Sequence, residues 1–151
     1  MAGRIVVGVD GSEGAALALR WALEEARLRD ASVAVVHAWH IPPMITADPT
    51  GMAMGALDPK QYEEAARLEL NRSIDHAGPV PGGVHIESIV ANGGAAETLL
   101  DTAIGADLLV VGSRGRGGFA RLLLGSVSQQ CAHHAPCAVV IVPTSDHSAH
   151  N

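Results

Sequence analysis

Short apolar runs recur along the chain at intervals that leave room for a helix between them, and this spacing limits the possible folds. Each run is rich in β-branched residues, which is typical of a strand. Strands buried on both faces read as continuous apolar runs, so a sheet covered on both sides is predicted. The predicted strands are Arg4 to Asp10, Ser32 to Trp39, His85 to Val90, Asp107 to Val111 and Ala138 to Val142.

Four segments between these strands carry helical signals. Ser12 and Asp58 are suitable N-cap residues, and Pro59 fits a first helical turn. Strands that alternate with helices predict a single-domain α/β fold, an open five-stranded parallel sheet with helices on both faces, which is Rossmann-like. The predicted helices run from Ser12 to about Asp30, from Asp58 to Gly78, from Ala95 to Gly105 and from Gly125-Ser126 to about His134.

Length and charge favour one soluble domain. The chain has 151 residues, 48% of them hydrophobic, which is enough for one core. Its formal charge of −6 argues against nucleic acid or a membrane surface as a partner. The first residues show no signal peptide, and no apolar run approaches the roughly 20 residues of a transmembrane helix. A cytoplasmic protein is expected, with its domain at residues 1–145 and a short tail at 146–151.

The segment from Gly112 to Ser126, GSRGRGGFARLLLGS, differs in charge from the rest of the chain. It contains five glycines and three arginines, and no Asp or Glu occurs between Asp107 and Asp146. Glycine lets backbone N–H groups converge on a ligand, arginine supplies forked donors, and the following helix start adds partial positive charge. These features predict an anion site, with phosphate as the favoured anion.

Two common phosphate motifs do not fit this segment. A P-loop requires a lysine before its Ser or Thr, and the one lysine of the chain is Lys60. The stretch from Gly115 to Ala120 matches G-x-G-x-x-A, but a dinucleotide fingerprint follows the first strand and has an acid about 20 residues later. The alternative is a surface loop whose glycines only form turns and whose arginines are solvated.

Four residues near the C-terminus resemble a set of zinc ligands: Cys131, His133, His134 and Cys137. Zinc sites usually pair ligands two to four residues apart within one motif. Here the predicted helix ends near His134, so the two cysteines belong to different elements. Because buried free cysteine is common, no metal site is predicted.

The glycine spacing is G-x2-G-x9-G-[ST], formed by Gly112, Gly115 and Gly125-Ser126. With this motif the sequence resembles the universal stress proteins, in the branch that binds ATP. The sequence lacks a proline often found at Gly93-Gly94-Ala95 in that family, and Ala138 replaces another. The resemblance covers nearly the whole chain and includes the segments RIVVGVDGS, SVAVVHAW, ADLLVVGSRGRGG and LLGSVSQQCAHHAPCAVVIVP.

The resemblance implies the adenine nucleotide alpha hydrolase-like form of this fold and a bound ATP, with Mg²⁺ held through the phosphates. Asp10 is expected near the ribose or adenine, Ala38 at the adenine edge and Ser126 at the closing helix start. The alternative for Asp10 is a turn residue, and that for Ser126 is a plain helix N-cap. The implied binding residues are Gly8, Val9, Asp10, Ala38, Val111, Gly112, Ser113, Arg114, Gly115, Arg116, Gly117, Gly118, Gly125, Ser126 and Val127.

The sequence favours a binding or signalling module of the stress response over an efficient enzyme. It contains neither a nucleophilic serine elbow nor a close carboxylate pair. His37 is expected to pack in its strand, and His40 is expected to face solvent. The resemblance also implies a homodimer through the last strand, Ala138 to Val142, an expected sheet edge. The alternatives are a slow ATPase or phosphotransferase, an interaction-only dimer, and binding of cyclic AMP or another adenine nucleotide.

Overall fold

Five strands and four helices alternate along the residues that the computed structural model describes, which are 3–41, 58–115 and 124–144. All four strand pairings are parallel. In chain order the elements are β1 (Arg4–Gly8), α1 (Glu13–Arg29), β2 (Ser32–Trp39), α2 (Pro59–His76), β3 (Ile86–Asn92), α3 (Ala95–Thr102), β4 (Leu108–Gly112), α4 (Ser126–His134) and β5 (Ala138–Val142).

The strands lie in the order β3-β2-β1-β4-β5, which makes β1 the central strand. Ile5 of β1 pairs with Val33 of β2 on one side and with Leu108 of β4 on the other. The chain winds one way from β1 to β3 and then crosses back for β4 and β5. That reversal creates a crevice at the carboxyl ends of β1 and β4, where sheets of this type bind ligands. β5 lies at a sheet edge, as predicted.

Side chains of β1 pack on both faces of the sheet. Ile5 and Val7 join the cluster with residues of α1 and α2, whereas Val6 joins the cluster with residues of α3 and α4. Successive side chains of a strand point to opposite faces, so a strand covered on both sides is apolar throughout. The predicted α/β fold, with helices on both faces of a parallel sheet, is confirmed.

The helices bury the faces that their sequence pattern predicts. Ser12 caps α1, because its Oγ accepts a hydrogen bond from the Ala15 amide at 3.2 Å. Asp58 caps α2 in the same way, accepting from the Lys60 amide at 3.0 Å. Both predicted N-caps are confirmed. The buried stripe of α1 includes Ala15, Leu19, Ala22, Leu23 and Ala26.

The ends of β3 and α3 differ from the prediction. β3 continues to Asn92 and not only to Val90, because its neighbour β2 continues to Trp39, which lies opposite Asn92. α3 ends at Thr102 and not at Gly105. Gly105 has φ of 82°, which a right-handed helix does not allow.

β1 and β4 end where the chain turns towards the crevice. β1 ends at Gly8 and not at Asp10, because the Asp10 side chain already takes part in the turn into α1. β4 extends one residue past its predicted end, since Gly112 still pairs with Val142 of β5. Both strands therefore deliver backbone, and not large side chains, to the crevice.

Some predictions fall on residues that the structure does not describe. The predicted tail at 146–151 lies outside the described ranges, as do residues 42–57, between β2 and α2. His40 itself is exposed, as predicted. Within the described ranges, no helix is long and apolar enough to cross a bilayer.

Asp30 closes α1 in the left-handed conformation, with φ of 55° and ψ of 44°. Glycine adopts this conformation without interference from a Cβ, whereas a β-branched residue does so poorly. We expect Asp30→Gly to raise the free energy of unfolding by about 0.5–1 kcal/mol and Asp30→Val to lower it. Urea-induced unfolding measures both effects, and equal stabilities of the three proteins would contradict this role of Asp30.

Candidate functional site

A cavity of about 460 Å³ lies at the carboxyl ends of β1, β2 and β4, beside the first turns of α1, α3 and α4. Its volume is in the range of roughly 300–1,000 Å³ that is common for ligand sites. It occupies the crevice created by the reversal of strand order. The predicted site residues that line it are Gly8, Val9, Asp10, Ala38, Val111, Gly112, Arg114, Gly115, Gly125, Ser126 and Val127.

The other predicted site residues are placed differently. Ser113 is buried and does not line the cavity. Arg116, Gly117 and Gly118 lie outside the described residues, so their part in a site stays a prediction.

Six further residues line the cavity and were not predicted. Two stand at or beside helix starts that follow strand ends, a position at which a parallel sheet collects binding groups. The sequence could have indicated Ser12 and Ala95, because both stand at predicted helix starts that follow predicted strands. No local pattern marks the rest, because the packing of helices on the sheet brings them to the cavity. The six are Ser12, Ala15, Val36, Ala95, Leu99 and Ser128.

Asp10 forms the turn between β1 and α1 and also lines the cavity. Its Oδ1 accepts a hydrogen bond from the Ser12 amide at 2.9 Å, and Gly11 between them has φ of 81°. This is the arrangement of an Asx turn, in which the side chain takes the place of a backbone carbonyl. Asp10 makes a further interaction besides this one. Asp10 is therefore a turn residue, and it also forms part of the cavity wall.

Gly112 and Gly14 allow β4 and α1 to approach each other closely. A Cβ on Gly112 would lie 2.8 Å from the Gly14 carbonyl oxygen. A Cβ on Gly14 would lie 2.6 Å from the Arg114 carbonyl oxygen. Backbone contacts this short leave no room for a side chain, so the packing of the fold itself requires both glycines.

Gly115 and Gly125, the other glycines of the spaced motif, have a different environment. A Cβ on Gly125 would meet no atom closer than 3.6 Å, which is ordinary contact. A Cβ on Gly115 would lie 2.7 Å from Oδ2 of Asp10, at the end of a side chain that can move. The packing of the described residues therefore does not demand glycine at Gly125 and demands it only weakly at Gly115. Both glycines keep the cavity wall free of side chains.

Ser113 connects the loop after β4 to its neighbours. Its amide donates to the Val142 carbonyl at 2.9 Å, and its carbonyl accepts from the Gly125 amide at 2.7 Å. The buried Ser128 hydroxyl also donates to the Ser113 carbonyl, at 3.0 Å. The Ser113 amide is thus committed to the sheet, although a phosphate contact had been expected of it.

The N-terminus of α4 opens onto the cavity. Gly125 is its N-cap, and no side chain caps it. The alternative role predicted for Ser126, a plain N-cap, is wrong, because Ser126 is the first helical residue. The amides of Ser126, Val127 and Ser128 belong to the first turn, where no carbonyl of the helix can accept from them. These donors and the positive end of the helix dipole suit an anion.

Arg114 is a cationic residue in the loop after β4. The residue lines the cavity, and its Nη2 donates to Oγ1 of Thr144 at 2.9 Å. Thr144 follows β5, so the guanidinium connects the end of the edge strand to the loop after β4. The arginine also makes a further interaction. The described lining of the cavity thus includes one arginine, whose side chain is held by Thr144.

The opposite wall of the cavity is apolar. It contains Val9, Val36, Ala38 and Leu99. His37 lies in β2, half-buried, with its Nδ1 2.9 Å from the Val9 carbonyl oxygen. Because a carbonyl only accepts, Nδ1 carries the proton and donates, which agrees with the predicted packing of His37 in its strand. An apolar wall facing a set of N–H donors suits a ligand with a flat ring at one end and an anion at the other.

The cysteines near α4 are not arranged as reactive or metal-binding groups. Burial raises the pKa of the Cys131 thiol to about 11. Burial, with the Asp107 carboxylate as a second cause, raises the pKa of Cys137 as well. Among the described residues, no three His, Cys, Asp or Glu side chains lie close enough together to hold a metal ion.

Fold and cavity together define an open, parallel α/β protein with a ligand-sized site at the reversal of strand order. A family model described as the universal stress protein family matches residues 1–143. The chain belongs to the universal stress protein family.

Three relatives illustrate the similarity. A universal stress protein of Mycolicibacterium smegmatis is 35% identical over 150 residues, which are 97% of this chain and 50% of that protein. One from Thermus aquaticus is 34% identical over 143 residues, 91% of this chain and 96% of the relative. The chain thus spans about half the length of several curated relatives that it matches. The solved structure of a universal stress protein in complex with cAMP is 28% identical, with a TM-score of 0.62 and coverage of 93% of this chain and 95% of that one.

Because Gly112 and Gly125 have different environments, the same substitution is predicted to affect stability strongly at Gly112 and hardly at Gly125. We expect Gly112→Ser to lower the free energy of unfolding by about 1–3 kcal/mol, since its Cβ would press on the Gly14 carbonyl. Gly125→Ser is the matched control and should change stability by less than about 0.5 kcal/mol, because serine is also a good N-cap. Urea-induced unfolding compares the variants. Equal losses would show that the close approach at Gly112 is not what requires glycine there.

Proposed function

We propose that this protein binds ATP in the cavity at the switch point, with Mg²⁺ held through the phosphates. One observation carries the proposal: the α4 N-terminus opens into that cavity beside Gly115 and Gly125, where the wall has no side chains. Triphosphate chains are bound by helix N-termini and by backbone amides that glycine makes accessible. The cAMP complex of a relative supports an adenine nucleotide as the ligand class.

Each part of the cavity has a role in this proposal. The apolar wall of Val36, Ala38 and Leu99 receives the adenine ring. Asp10 lies where it can accept hydrogen bonds from ribose hydroxyls. The amides of Ser126 and Val127, with the Arg114 guanidinium, bind phosphate oxygens. The predicted phosphate contacts of Arg116 to Gly118 belong to the same proposal.

The residues present fit Mg²⁺ only together with a nucleotide. Mg²⁺ prefers oxygen ligands and is commonly held by one or two carboxylates and substrate phosphates. Asp10 is the single carboxylate among the described residues that line the cavity. Phosphate oxygens of the nucleotide and water would therefore supply most of the Mg²⁺ ligands, with Asp10 as the candidate protein ligand.

The cavity supports binding better than turnover. Hydrolysis needs a group that orients or deprotonates the attacking water. Among the described lining residues, the Asp10 carboxylate is the strongest candidate for a base, and its Oδ1 already accepts from the Ser12 amide. We therefore favour a binding or signalling module of the stress response, in which nucleotide occupancy shifts the population of one conformation.

Calorimetric titration with Mg-ATP tests the proposal. We expect saturable binding to the unmodified protein, and a loss of at least about 100-fold in affinity in Gly115→Val, whose side chain would enter the cavity beside Asp10. Gly82→Val is the matched control, because a Cβ there meets no atom within 4 Å and the residue does not line the cavity. Its affinity should equal that of the unmodified protein.

Two results would contradict the ATP proposal. Flat titrations up to millimolar Mg-ATP would remove it and favour an interaction-only protein. Equal affinity of Gly115→Val and the unmodified protein for Mg-ATP would show that the nucleotide binds outside the cavity. Nucleotide released from the freshly purified protein by heat and separated by ion exchange gives independent support if it is ATP.

Cyclic AMP is the second candidate ligand. The observation that favours it is the cAMP complex of a relative that is 28% identical over 93% of this chain. Its single cyclic phosphate would leave the Arg114 end of the cavity unused. Competition titrations with ATP and cAMP separate the two, since the proposed phosphate contacts require ATP to bind more tightly.

We propose in addition that two chains associate through β5. The strand is an edge of the sheet, and its residues Val139 to Val142 are only half-buried in one chain. An apolar edge with unpaired backbone groups is a natural place for a second copy to pair. The domain limits of 1–145 and the cytoplasmic location stay predictions.

Light scattering coupled to size exclusion measures the association. We expect a mass twice that of one chain at micromolar concentration. Val140→Lys should shift the mass towards that of one chain, because a charged side chain on the edge disfavours pairing. Leu68→Lys serves as the control for the added charge, since Leu68 is an exposed apolar residue of α2, 52% accessible to solvent. A single-chain mass for the unmodified protein would overturn the proposal.

A further inference from the structure

The hydroxyl of Ser128 is buried at the start of α4, where two carbonyl groups lie within hydrogen-bond distance. Ser128 is the third residue of the helix and is 2% exposed. Its Oγ lies 3.0 Å from the Ser113 carbonyl oxygen and 3.0 Å from the Gly125 carbonyl oxygen. A hydroxyl has a single proton, which it donates to one carbonyl or shares between two. The proton of this hydroxyl is therefore committed to the protein and not to a ligand.

The Ser113 carbonyl is the acceptor at which the loop after β4 meets the start of α4. It accepts from the Gly125 amide at 2.7 Å as well as from the Ser128 hydroxyl. The two backbones are also in contact, since a Cβ on Gly125 would lie 3.6 Å from the Arg114 Cα. The Ser113 amide donates to the Val142 carbonyl of β5. The first turn of α4 is thus bonded to a residue that the sheet itself holds in place.

These bonds take the place of a side-chain cap. Gly125 is the N-cap and has no side chain that could accept from the first-turn amides. In a capping box, the side chain of the third helical residue accepts from the N-cap amide. Here that third residue is Ser128, which donates, and the N-cap amide donates to Ser113 instead. The amides of Ser126 and Val127 are left for a ligand, and the bonds to Ser113 set their direction.

Two donors on one acceptor fix an orientation that a single donor does not. Without the Ser128 hydroxyl, the Gly125 amide would be the one remaining donor from α4 to the Ser113 carbonyl among the described residues. A helix start held by one bond can pivot about that bond. A binding group needs to be held within about 0.5 Å and 10–20° of its productive geometry. The Ser128 bond therefore affects how well the amides of α4 are aimed.

We propose that Ser128 is a positioning residue of the nucleotide site, whose buried hydroxyl fixes the orientation of the first turn of α4. This role rests on the proposed function, in which the amides of that turn bind the phosphates. It concerns only the phosphate end of the cavity. The apolar wall proposed for the adenine ring comes from other elements, with Val36 and Ala38 in β2 and Leu99 in α3.

Titrations of Ser128→Ala with Mg-ATP and with adenosine, followed by amide chemical shifts, test this role. We expect the affinity for Mg-ATP to fall by roughly tenfold, the size expected when one charge-assisted hydrogen bond is lost. The affinity for adenosine should change by less than about twofold, because adenosine has no phosphate for the α4 amides to bind. A general loosening of the cavity would lower both affinities alike. The ratio of the two affinities therefore separates positioning from a loss of stability.

Three matched variants complete the comparison. Ser128→Thr keeps a hydroxyl at the same position and should bind Mg-ATP within about threefold of the unmodified protein. Ser128→Cys keeps the size of the side chain with a weak donor and should bind like Ser128→Ala, so the comparison does not depend on room for the threonine methyl. Ser73→Ala is the control, because it removes a buried hydroxyl that has no partner among the described residues and does not line this cavity. Its affinity should be unchanged, and the spectra report whether each variant is folded.

The outcomes distinguish this role from the proposed function. No saturable shifts with Mg-ATP in the unmodified protein would contradict ATP binding, and the role of Ser128 with it. If the unmodified protein binds, three results contradict the role of Ser128 alone. They are an unchanged affinity of Ser128→Ala for Mg-ATP, an equal loss for Mg-ATP and adenosine, and an equal loss in Ser73→Ala.

Discussion

The close contact between the end of β4 and the first turn of α1 positions the rest of the site. Gly112 lies so near the Gly14 carbonyl oxygen that a Cβ would be 2.8 Å from it, and Gly14 in turn faces the Arg114 carbonyl. Because these backbones meet with no side chain between them, α1 begins directly beside the loop after β4. Ser113 holds the same loop from its other side, through hydrogen bonds to β5 and to the start of α4.

This packing lines the cavity mainly with backbone and small residues, with Arg114 and Asp10 as its charged members. The α4 terminus supplies amide donors, the glycines leave room, and Arg114 adds charge while it is held by Thr144.

Local patterns predicted most of the fold, and their failures have physical causes. Periodicity located every strand and helix in the described ranges, because both faces of the sheet and one face of each helix must be apolar. Boundaries were less predictable: β3 reaches Asn92 only because its neighbour β2 extends to Trp39. The predicted start of α4 at Gly125-Ser126 is correct, but the alternative of Ser126 as its N-cap is one residue off, since Gly125 takes that position without a side-chain hydrogen bond.

The sequence by itself determined the class of fold and the region of the site, because alternating apolar runs and spaced glycines act through local rules of backbone and burial. Only the tertiary structure decided which of those glycines the packing needs, since Gly112 and Gly125 are alike in sequence and differ in what lies within 3 Å of a Cβ. It also decided that the Ser113 amide bonds to the sheet and that the buried Ser73 hydroxyl has no hydrogen-bond partner among the described residues. Those facts depend on which segments become neighbours, and distant segments meet only in the folded chain.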